Sequence, residues 1–194
     1  MYSQGDEERY ILAAFKDRKE PGRFIDIGSW HPLQFSNVRA LYGIGWSGVC
    51  IEPSPGPMLN LIAEYGSEPR ITLIQAAVGV ESGLRAMHIS NDALSTASDS
   101  EYERWKDKAE FIGQVVIPVI TLEQITNQWG GFDFWSIDAE GLSGDILVRM
   151  INLDLRPDCV CVEYGDRLSE LCAKVTQHGY RLTYANGTNG IFVR

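Results

Sequence analysis

The 194-residue sequence predicts an α/β fold in which βα units surround a mostly parallel sheet. Two observations support this prediction. Short apolar runs of strand length alternate with amphipathic segments along the chain, which is typical of βα units. The length also suits one domain, and no repeat or Pro/Gly-rich linker divides the chain. We therefore expect a single domain over residues 1–194.

The first element predicted is a helix over Asp6–Arg18, within an N-terminal segment 1–22. Pro21 and Gly22 end this helix. Its apolar residues recur at the spacing of one helix face: Tyr10, Ile11, Ala14 and Phe15.

The next three strands are predicted over Phe24–Ile27, Val49–Glu52 and Ile71–Gln75. Each is a short apolar run, and the first two end at Gly28 and Pro53. A helix over Pro55–Tyr65 lies between the second and third strands. Its prolines fall in the first turn, where their missing N–H groups are harmless.

Two further strands, Arg85–Ile89 and Val115–Val119, are expected to pair beside the main sheet. Residues 90–114 form an insertion between these two strands, and its Ser95–Glu110 part is expected to be partly helical. Because longer loops in compact domains are often functional, this insertion is a candidate substrate loop or lid. The polar, small residues of 91–98 favour that interpretation.

Three helices are predicted in the C-terminal part of the chain, over Thr121–Trp129, Ser143–Ile151 and Arg167–His178. Thr121 is a favourable N-cap, and Gly179 is a suitable helix terminator. The remaining elements are two strands and a closing hairpin across Asn186-Gly187: Phe132–Ile137, Cys159–Glu163, and Tyr180–Ala185 with Gly190–Val193.

The net charge of −9 argues against a general nucleic-acid-binding protein, which normally presents a basic face. No apolar run approaches the roughly 20 residues of a membrane helix. The polar, acidic segment Met1–Arg9 does not resemble a signal peptide. We expect a cytoplasmic protein without a membrane partner, the acidic charge disfavours a nucleic-acid partner, and the sequence predicts no oligomeric state.

Three of the four cysteines, Cys50, Cys159 and Cys161, lie in predicted strands, which is consistent with buried, reduced thiols. The fourth is Cys172. Because no second Cys or His pair follows Cys159-x-Cys161 at zinc-ligand spacing, we expect no metal site there.

Four acids, Asp26, Glu52, Asp138 and Glu163, lie at or near the carboxyl ends of predicted strands. Open α/β sheets bind ligands in the crevice outside that edge. One such acid alone is usually a helix cap or a solvated loop residue, but four in register indicate a shared site. Glu52 follows Asp26 by 26 residues, a spacing that suits a carboxylate holding both hydroxyls of a ribose.

Gly28 permits a tight turn and the close approach of a ligand after the first strand. The dinucleotide fingerprint Gly-x-Gly-x-x-Gly is absent, which counts against NAD or FAD. The P-loop pattern is absent as well.

Three segments carry a resemblance to a known family: Phe24–Pro32 followed by Ser36-Asn37, then Gly45–Pro53, and then Ile137–Gly141. They resemble, in order and spacing, the signatures of FkbM-type methyltransferases. Thr121-Leu122, Val162-Glu163 and Gly179-Tyr180 complete that order, so the resemblance runs from about Arg23 to Tyr184. Ile-Asp-x-Glu-Gly combined with Glu-Pro is its most specific part.

The resemblance implies a Rossmann-like class I methyltransferase fold, with a mostly parallel seven-stranded sheet and helices on both faces. It also implies S-adenosylmethionine as donor, S-adenosylhomocysteine as product and an oxygen acceptor. Glu52 would hold the ribose, and Ala76 and Ala77 would lie beside the adenine. The residues expected to bind the cofactor are Asp26, Gly28, Ser29, Glu52, Pro53, Ala76, Ala77 and Asp138.

An acceptor hydroxyl must lose its proton as it attacks, and Asp138, Glu140 and His31 are the candidate general bases. A histidine titrates near neutral pH, whereas a carboxylate needs a raised pKa, which the Asp138–Glu140 pair of like charges would supply. The residues expected to contact the acceptor are Ser36, Asn37, Ser95, Thr96 and Glu163.

Asp138, Glu140 and Glu163 could instead bind a divalent cation such as Mg²⁺. We do not favour a metal, because carboxylates near a sulfonium need none. The sequence thus predicts a methyltransferase that acts on a hydroxyl of a small molecule or sugar. Two alternatives stay open: a methyltransferase acting on a macromolecule such as a glycan or nucleic acid, and a non-catalytic cofactor-binding module on the same fold.

Overall fold

The computed structural model describes residues 1–90 and 94–194, so residues 91–93 of the predicted substrate loop lie outside the described residues. Its strands are β1 (Arg23–Ile27), β2 (Ser47–Ile51), β3 (Ile71–Ile74), β4 (Ala77–Val78), β5 (Gly83–Ser90), β6 (Phe111–Ile120), β7 (Phe134–Ile137), β8 (Cys159–Glu163), β9 (Arg181–Ala185) and β10 (Asn189–Val193). Its helices are α1 (Glu7–Ala14), α2 (Arg39–Gly43), α3 (Pro55–Tyr65), α4 (Asp99–Trp105), α5 (Leu122–Trp129), α6 (Ser143–Asn152) and α7 (Leu168–Thr176).

The larger sheet of the described residues has seven strands in the order β3-β2-β1-β7-β8-β10-β9. The first five strands in this order are parallel, and β10 runs antiparallel to both of its neighbours. The predicted mostly parallel seven-stranded sheet is therefore confirmed. The strand order reverses at β1, because β2 lies on one side of it and β7 on the other. Such a switch point leaves a crevice at the carboxyl ends of the strands.

Two hydrophobic cores cover the two faces of this sheet, because successive side chains of a strand point to opposite faces. In β1, Phe24 packs in the core shared with α1, α2 and α3. Ile25 and Ile27 pack in the core shared with α5, α6 and α7. Helices therefore cover both faces, as predicted. The same alternation puts Asp26 on the Phe24 side, beside its register partner Ser136 in β7.

The strands predicted beside the main sheet form a separate three-stranded sheet in the order β4-β6-β5. β5 and β6 pair antiparallel and are longer than predicted, since the pairing continues through residues outside the predicted apolar runs, such as Ser90 and Gln114. β4, which is only two residues long, was not predicted. The predicted partly helical segment contains α4, whose N-cap Ser98 accepts a hydrogen bond from the Glu101 N–H.

Helix ends differ from the prediction where packing does not support them. α1 ends at Ala14 rather than Arg18, because residues 16–20 are exposed and bury no apolar face. The short α2 was missed, since only Leu41 of its residues is buried and no side chain caps it. Thr121 caps α5 as predicted, in a reciprocal pair with Gln124. None of the helices in the described ranges is long and apolar enough to cross a membrane.

Candidate functional site

A cavity of about 290 Å³ opens at the carboxyl ends of β1, β2, β7 and β8, at the switch point of the strand order. The sequence-predicted site residues that line it are Asp26, Gly28, Ser29, Asn37, Glu52, Pro53, Ala76, Ala77, Ser95, Thr96, Asp138, Glu140 and Glu163. The predicted convergence of the four strand-end acids on one rim is therefore present in the structure.

Two predicted site residues do not line the cavity. His31 accepts hydrogen bonds at its Nδ1 from the backbone N–H groups of Leu33 (3.1 Å) and Gln34 (3.0 Å), so its ring organises the turn that follows it. Ser36 is buried, and its carbonyl accepts a hydrogen bond from the Ser3 hydroxyl at 3.5 Å. Both residues lie in the loop after β1, and other residues of this loop, such as Ser29 and Asn37, line the cavity instead.

Gly28 makes the close approach of β1 and β7 possible. Its φ is +80°, and its N–H donates to the Ile51 carbonyl at 2.9 Å. A Cβ on this residue would lie 1.7 Å from the backbone oxygen of Asp138. Glycine is therefore required here by both the backbone conformation and the neighbouring strand end.

The substitution Gly28→Ala is expected to lower the free energy of unfolding by at least about 2 kcal/mol, since it adds left-handed strain and a backbone clash. Urea denaturation measures this change. Gly43→Ala is the matched control, because a Cβ at Gly43 would contact nothing within 4 Å. Equal stabilities of Gly28→Ala and wild type would contradict the interpretation of this turn.

Glu52, directly after β2, is 4% exposed and is held by the backbone on both sides. Its Oε2 accepts the Trp30 N–H at 3.0 Å, and its Oε1 accepts the Ser54 N–H at 2.6 Å. Burial raises the pKa of Glu52, and these hydrogen bonds partly offset the effect. A carboxylate can accept more hydrogen bonds than these two, so Glu52 keeps acceptor capacity for a ligand in the cavity.

Asp26 is buried at the cavity floor, with 5% of its surface exposed. Burial raises the pKa of Asp26 to about 6, although hydrogen bonds from the hydroxyls of Ser136 and Ser29 lower it in part. Ser136 also lies 3.4 Å from the amide nitrogen of Asn37. The Asp26 carboxyl group therefore loses its proton near pH 6 rather than near pH 3.8.

The raised pKa of Asp26 makes stability depend on pH. The carboxyl takes up a proton more readily in the folded protein (about 6) than at its ordinary value of 3.8. Its contribution to stability is therefore complete below about pH 4 and is lost as the pH rises through about 6. For Asp26→Asn without ligand, we expect the free energy of unfolding at about pH 7.5 to rise by up to about 3 kcal/mol.

Urea denaturation between about pH 4 and pH 7.5 tests this expectation for Asp26. The exposed Asp17→Asn is the control and should keep the wild-type pH dependence. A pH dependence of Asp26→Asn that matches the wild type would show that Asp26 is ionised normally in the folded protein.

Asp138, Glu140 and Glu163 form an acidic group on the β7–β8 side of the cavity. One carboxylate oxygen from each lies within 4.8 Å of the others. The Ser143 hydroxyl, at the start of α6, lies 3.3 Å from Glu163 Oε2 and accepts the Ala139 N–H at 2.8 Å. Ser143 thus links the loop after β7 to the end of β8 through two hydrogen bonds.

Burial among protein atoms raises the pKa of Asp138 well above its ordinary value, and the negative charges of Glu163, Glu140 and Asp26 raise it further. The side chain of Asp138 is nevertheless exposed to the cavity. A carboxylate with these properties can accept a proton from a ligand. This is also the group of acids that the sequence analysis considered for a divalent cation.

Trp30 and Phe35 line the cavity, although neither was among the predicted site residues. Both have left-handed backbone conformations, with φ of 37° and 56°. Their rings stack with centroids 5.7 Å apart, and Phe35 remains 56% exposed. Such backbone strain clusters at binding sites. The one signal in the sequence was the presence of two large aromatic residues in the loop after the Gly28 turn.

The N-terminal segment also reaches the cavity, through Gln4, and the β9–β10 turn reaches it through Thr188. Glu7 joins these two segments. Its fully buried carboxylate accepts hydrogen bonds from the side-chain amides of Asn186 (2.6 Å) and Asn189 (3.0 Å). These partners lie 179 and 182 positions from Glu7 along the chain, so no local sequence pattern indicates the pairing.

The model of the Methyltransferase FkbM domain matches residues 26–182. The chain belongs to the FkbM methyltransferase family. The matched range contains Asp26, Glu52, Asp138 and Glu163, and therefore the whole acidic rim of the cavity. As a member of this family, the chain has the fold of an S-adenosylmethionine-dependent methyltransferase.

Solved structures with the same fold include the FkbM methyltransferase of Methylobacillus flagellatus KT. It has a TM-score of 0.58 and 12% identity, over 100% of this chain and 56% of that protein. The N-terminal domain of human METTL16, in complex with SAH, has a TM-score of 0.52 and 12% identity, over 96% of this chain and 68% of that one.

A putative methyltransferase of Escherichia coli, yhhF, has a TM-score of 0.50 and 9% identity, over 99% of this chain and 87% of that one. At these identities the likeness concerns the fold. The FkbM-family chain spans little more than half of the Methylobacillus protein. No curated protein sequence matches it significantly.

Proposed function

We propose that this FkbM-family protein transfers a methyl group from S-adenosylmethionine to a hydroxyl oxygen of a small molecule or sugar. The observation that carries the proposal is the convergence of Asp26, Glu52, Asp138 and Glu163 on one cavity at the switch point of the sheet. Ligands of open α/β folds bind at this position.

The cavity residues fit the donor. Glu52 is oriented by two backbone N–H groups and keeps acceptor capacity for both hydroxyls of a ribose. Ala76, Ala77 and Val78 provide a small apolar surface that suits a purine ring. The acidic walls favour a cationic ligand, and S-adenosylmethionine supplies a methyl group on a positively charged sulfur.

Asp138 is the general base that we propose. It is exposed to the cavity, and its raised pKa makes it a stronger base than an ordinary aspartate. Glu140 and Glu163 support this role, because their negative charges keep that pKa high. Ser143 fixes the position of Glu163.

Neutral polar side chains beside this base suit a hydroxyl-bearing acceptor. Asn37, Ser95 and Thr96 line the cavity and can exchange hydrogen bonds with hydroxyl groups. His31 is a weaker candidate for the base than the carboxylates, since its Nδ1 is engaged by backbone N–H groups and it does not line the cavity.

Binding and transfer are tested separately. Calorimetry with S-adenosylhomocysteine, NAD and ATP is expected to show binding of S-adenosylhomocysteine alone. Labelled methyl groups from S-adenosylmethionine should then appear on hydroxyl compounds in a panel of sugars, polyketide alcohols and matched amines. Preferred binding of NAD or ATP would contradict the donor. Labelling of amines alone would contradict the oxygen acceptor, and binding without any labelling would indicate a non-catalytic module.

A further inference from the structure

A second groove, with a volume of about 610 Å³, lies beside the donor cavity. Its walls are the first turns of α3, the end of β5 and the start of β6. Trp30 lines both the groove and the cavity, so the two spaces adjoin across one side chain. None of the roles proposed so far uses this groove.

The groove and the cavity differ in charge. None of the described residues that line the groove has an ionisable side chain. Its polar side chains are those of Asn60, Gln114 and Ser90, among prolines and β-branched residues. The adjoining cavity contains a carboxylate at the end of each of four strands. A ligand that extends from the cavity into the groove therefore passes from an acidic to a neutral environment.

The start of α3 does not suit an anion, although helix N-termini often bind one. Pro55 and Pro57 occupy two of the first three helix positions, and proline has no backbone N–H to donate. No lysine or arginine is among the described lining residues, so a phosphate would find no counter-charge there. These features disfavour phosphorylated ligands and a nucleic-acid backbone in this groove.

The polar groups of the groove suit hydroxyls. The amide nitrogen of Gln114 lies 3.1 and 3.2 Å from the two ring nitrogens of His88, which leaves the amide oxygen as an acceptor. Asn60 is exposed on α3 and adds a second amide, which both donates and accepts. Trp30 supplies a flat apolar surface next to them. Amides beside an aromatic ring complement a sugar, which has hydroxyls at its edge and C–H groups on its face.

We propose that this groove is an acceptor subsite, which binds neutral saccharide units next to the hydroxyl-bearing unit that is methylated. This rests on the proposed function, since the reacting unit would occupy the cavity. The groove would then select acceptors that are uncharged and longer than one sugar.

The test is a titration of the full chain, saturated with S-adenosylhomocysteine. The probes are uncharged mono- to tetrasaccharides of glucose, galactose, mannose and fucose, their phosphorylated counterparts, a single-stranded RNA and a long-chain alcohol. We expect at least one neutral oligosaccharide to bind about tenfold more tightly than its monosaccharide, which corresponds to one or two added hydrogen bonds.

Groove variants identify where the oligosaccharide binds. Gln114→Ala and Asn60→Ala are each expected to weaken its binding about fivefold, as expected for the loss of one neutral hydrogen bond. The matched controls, Gln128→Ala and Asn127→Ala on the exposed face of α5, should bind it like the wild type.

The proposal is overturned if no neutral oligosaccharide binds more tightly than its monosaccharide, or if the groove variants bind it like the controls. Preferred binding of the phosphorylated sugars, the RNA or the alcohol would also overturn it. The affinity of the wild type for S-adenosylhomocysteine is measured first. If the wild type does not bind S-adenosylhomocysteine, the proposed function is contradicted. If it binds S-adenosylhomocysteine but no saccharide, only the subsite is contradicted.

Discussion

Replacing Glu52 with alanine is expected to lower the affinity for S-adenosylhomocysteine at least about a hundredfold. Two backbone N–H groups fix this buried carboxylate, so it is already oriented before the proposed ribose contact forms. A hydrogen bond to a charged group contributes about 1.5–3 kcal/mol. Two such bonds correspond to about 3–6 kcal/mol, or two to four decades of affinity.

Isothermal calorimetry measures this loss, and Glu81→Ala is the matched control, because Glu81 is exposed and lies outside the cavity. The fold should survive the change, because the removal of a buried charge offsets part of the cost of leaving the Trp30 and Ser54 N–H groups without an acceptor. Circular dichroism of the unliganded variant verifies this. Near-wild-type affinity in a folded Glu52→Ala protein would show that another group holds the ribose.

The strand-end acids could be predicted from the sequence because local chemistry determines their position. Asp26 lies near the end of one apolar run and Glu52 at the end of another, both runs are too short for a helix, and parallel strands end at a common edge. Gly28 was predictable for a similar reason, since only glycine tolerates the turn that follows β1. These parts of the site depend on neighbouring residues in the chain.

Other parts of the site depend on contacts that the sequence does not show. The left-handed conformation of Trp30 is fixed by its N–H bond to Glu52, 22 residues away. Gln4 reaches the cavity because Glu7 is held by amides of the β9–β10 turn. The position of His31 was misjudged as well, since a loop of ordinary composition does not reveal which side chains face inward. Its ring accepts local N–H groups instead.

The second large effect is expected at Asp138, where asparagine should lower kcat by about 10²–10⁴-fold, the usual contribution of a general base. The affinity for S-adenosylmethionine should fall much less, because the proposed ribose contact at Glu52 is unchanged. Single-turnover rates and calorimetry separate the two quantities. Asp107→Asn, an exposed aspartate outside the cavity, is the control.

The pH–rate profile distinguishes a base from a residue that only positions the acceptor. The wild-type rate should rise with pH through the raised pKa of Asp138, and this rise should be absent in Asp138→Asn.

Glu140→Gln removes one of the negative charges that hold this pKa high. It should therefore shift the rise to lower pH and lower kcat less than Asp138→Asn does. Unchanged rates in both variants would exclude these two carboxylates as the base and leave deprotonation to His31 or to the acceptor's own acidity. A lower rate in Asp138→Asn with an unchanged profile would assign Asp138 to acceptor positioning, because a positioning contact does not have to lose a proton before each turnover.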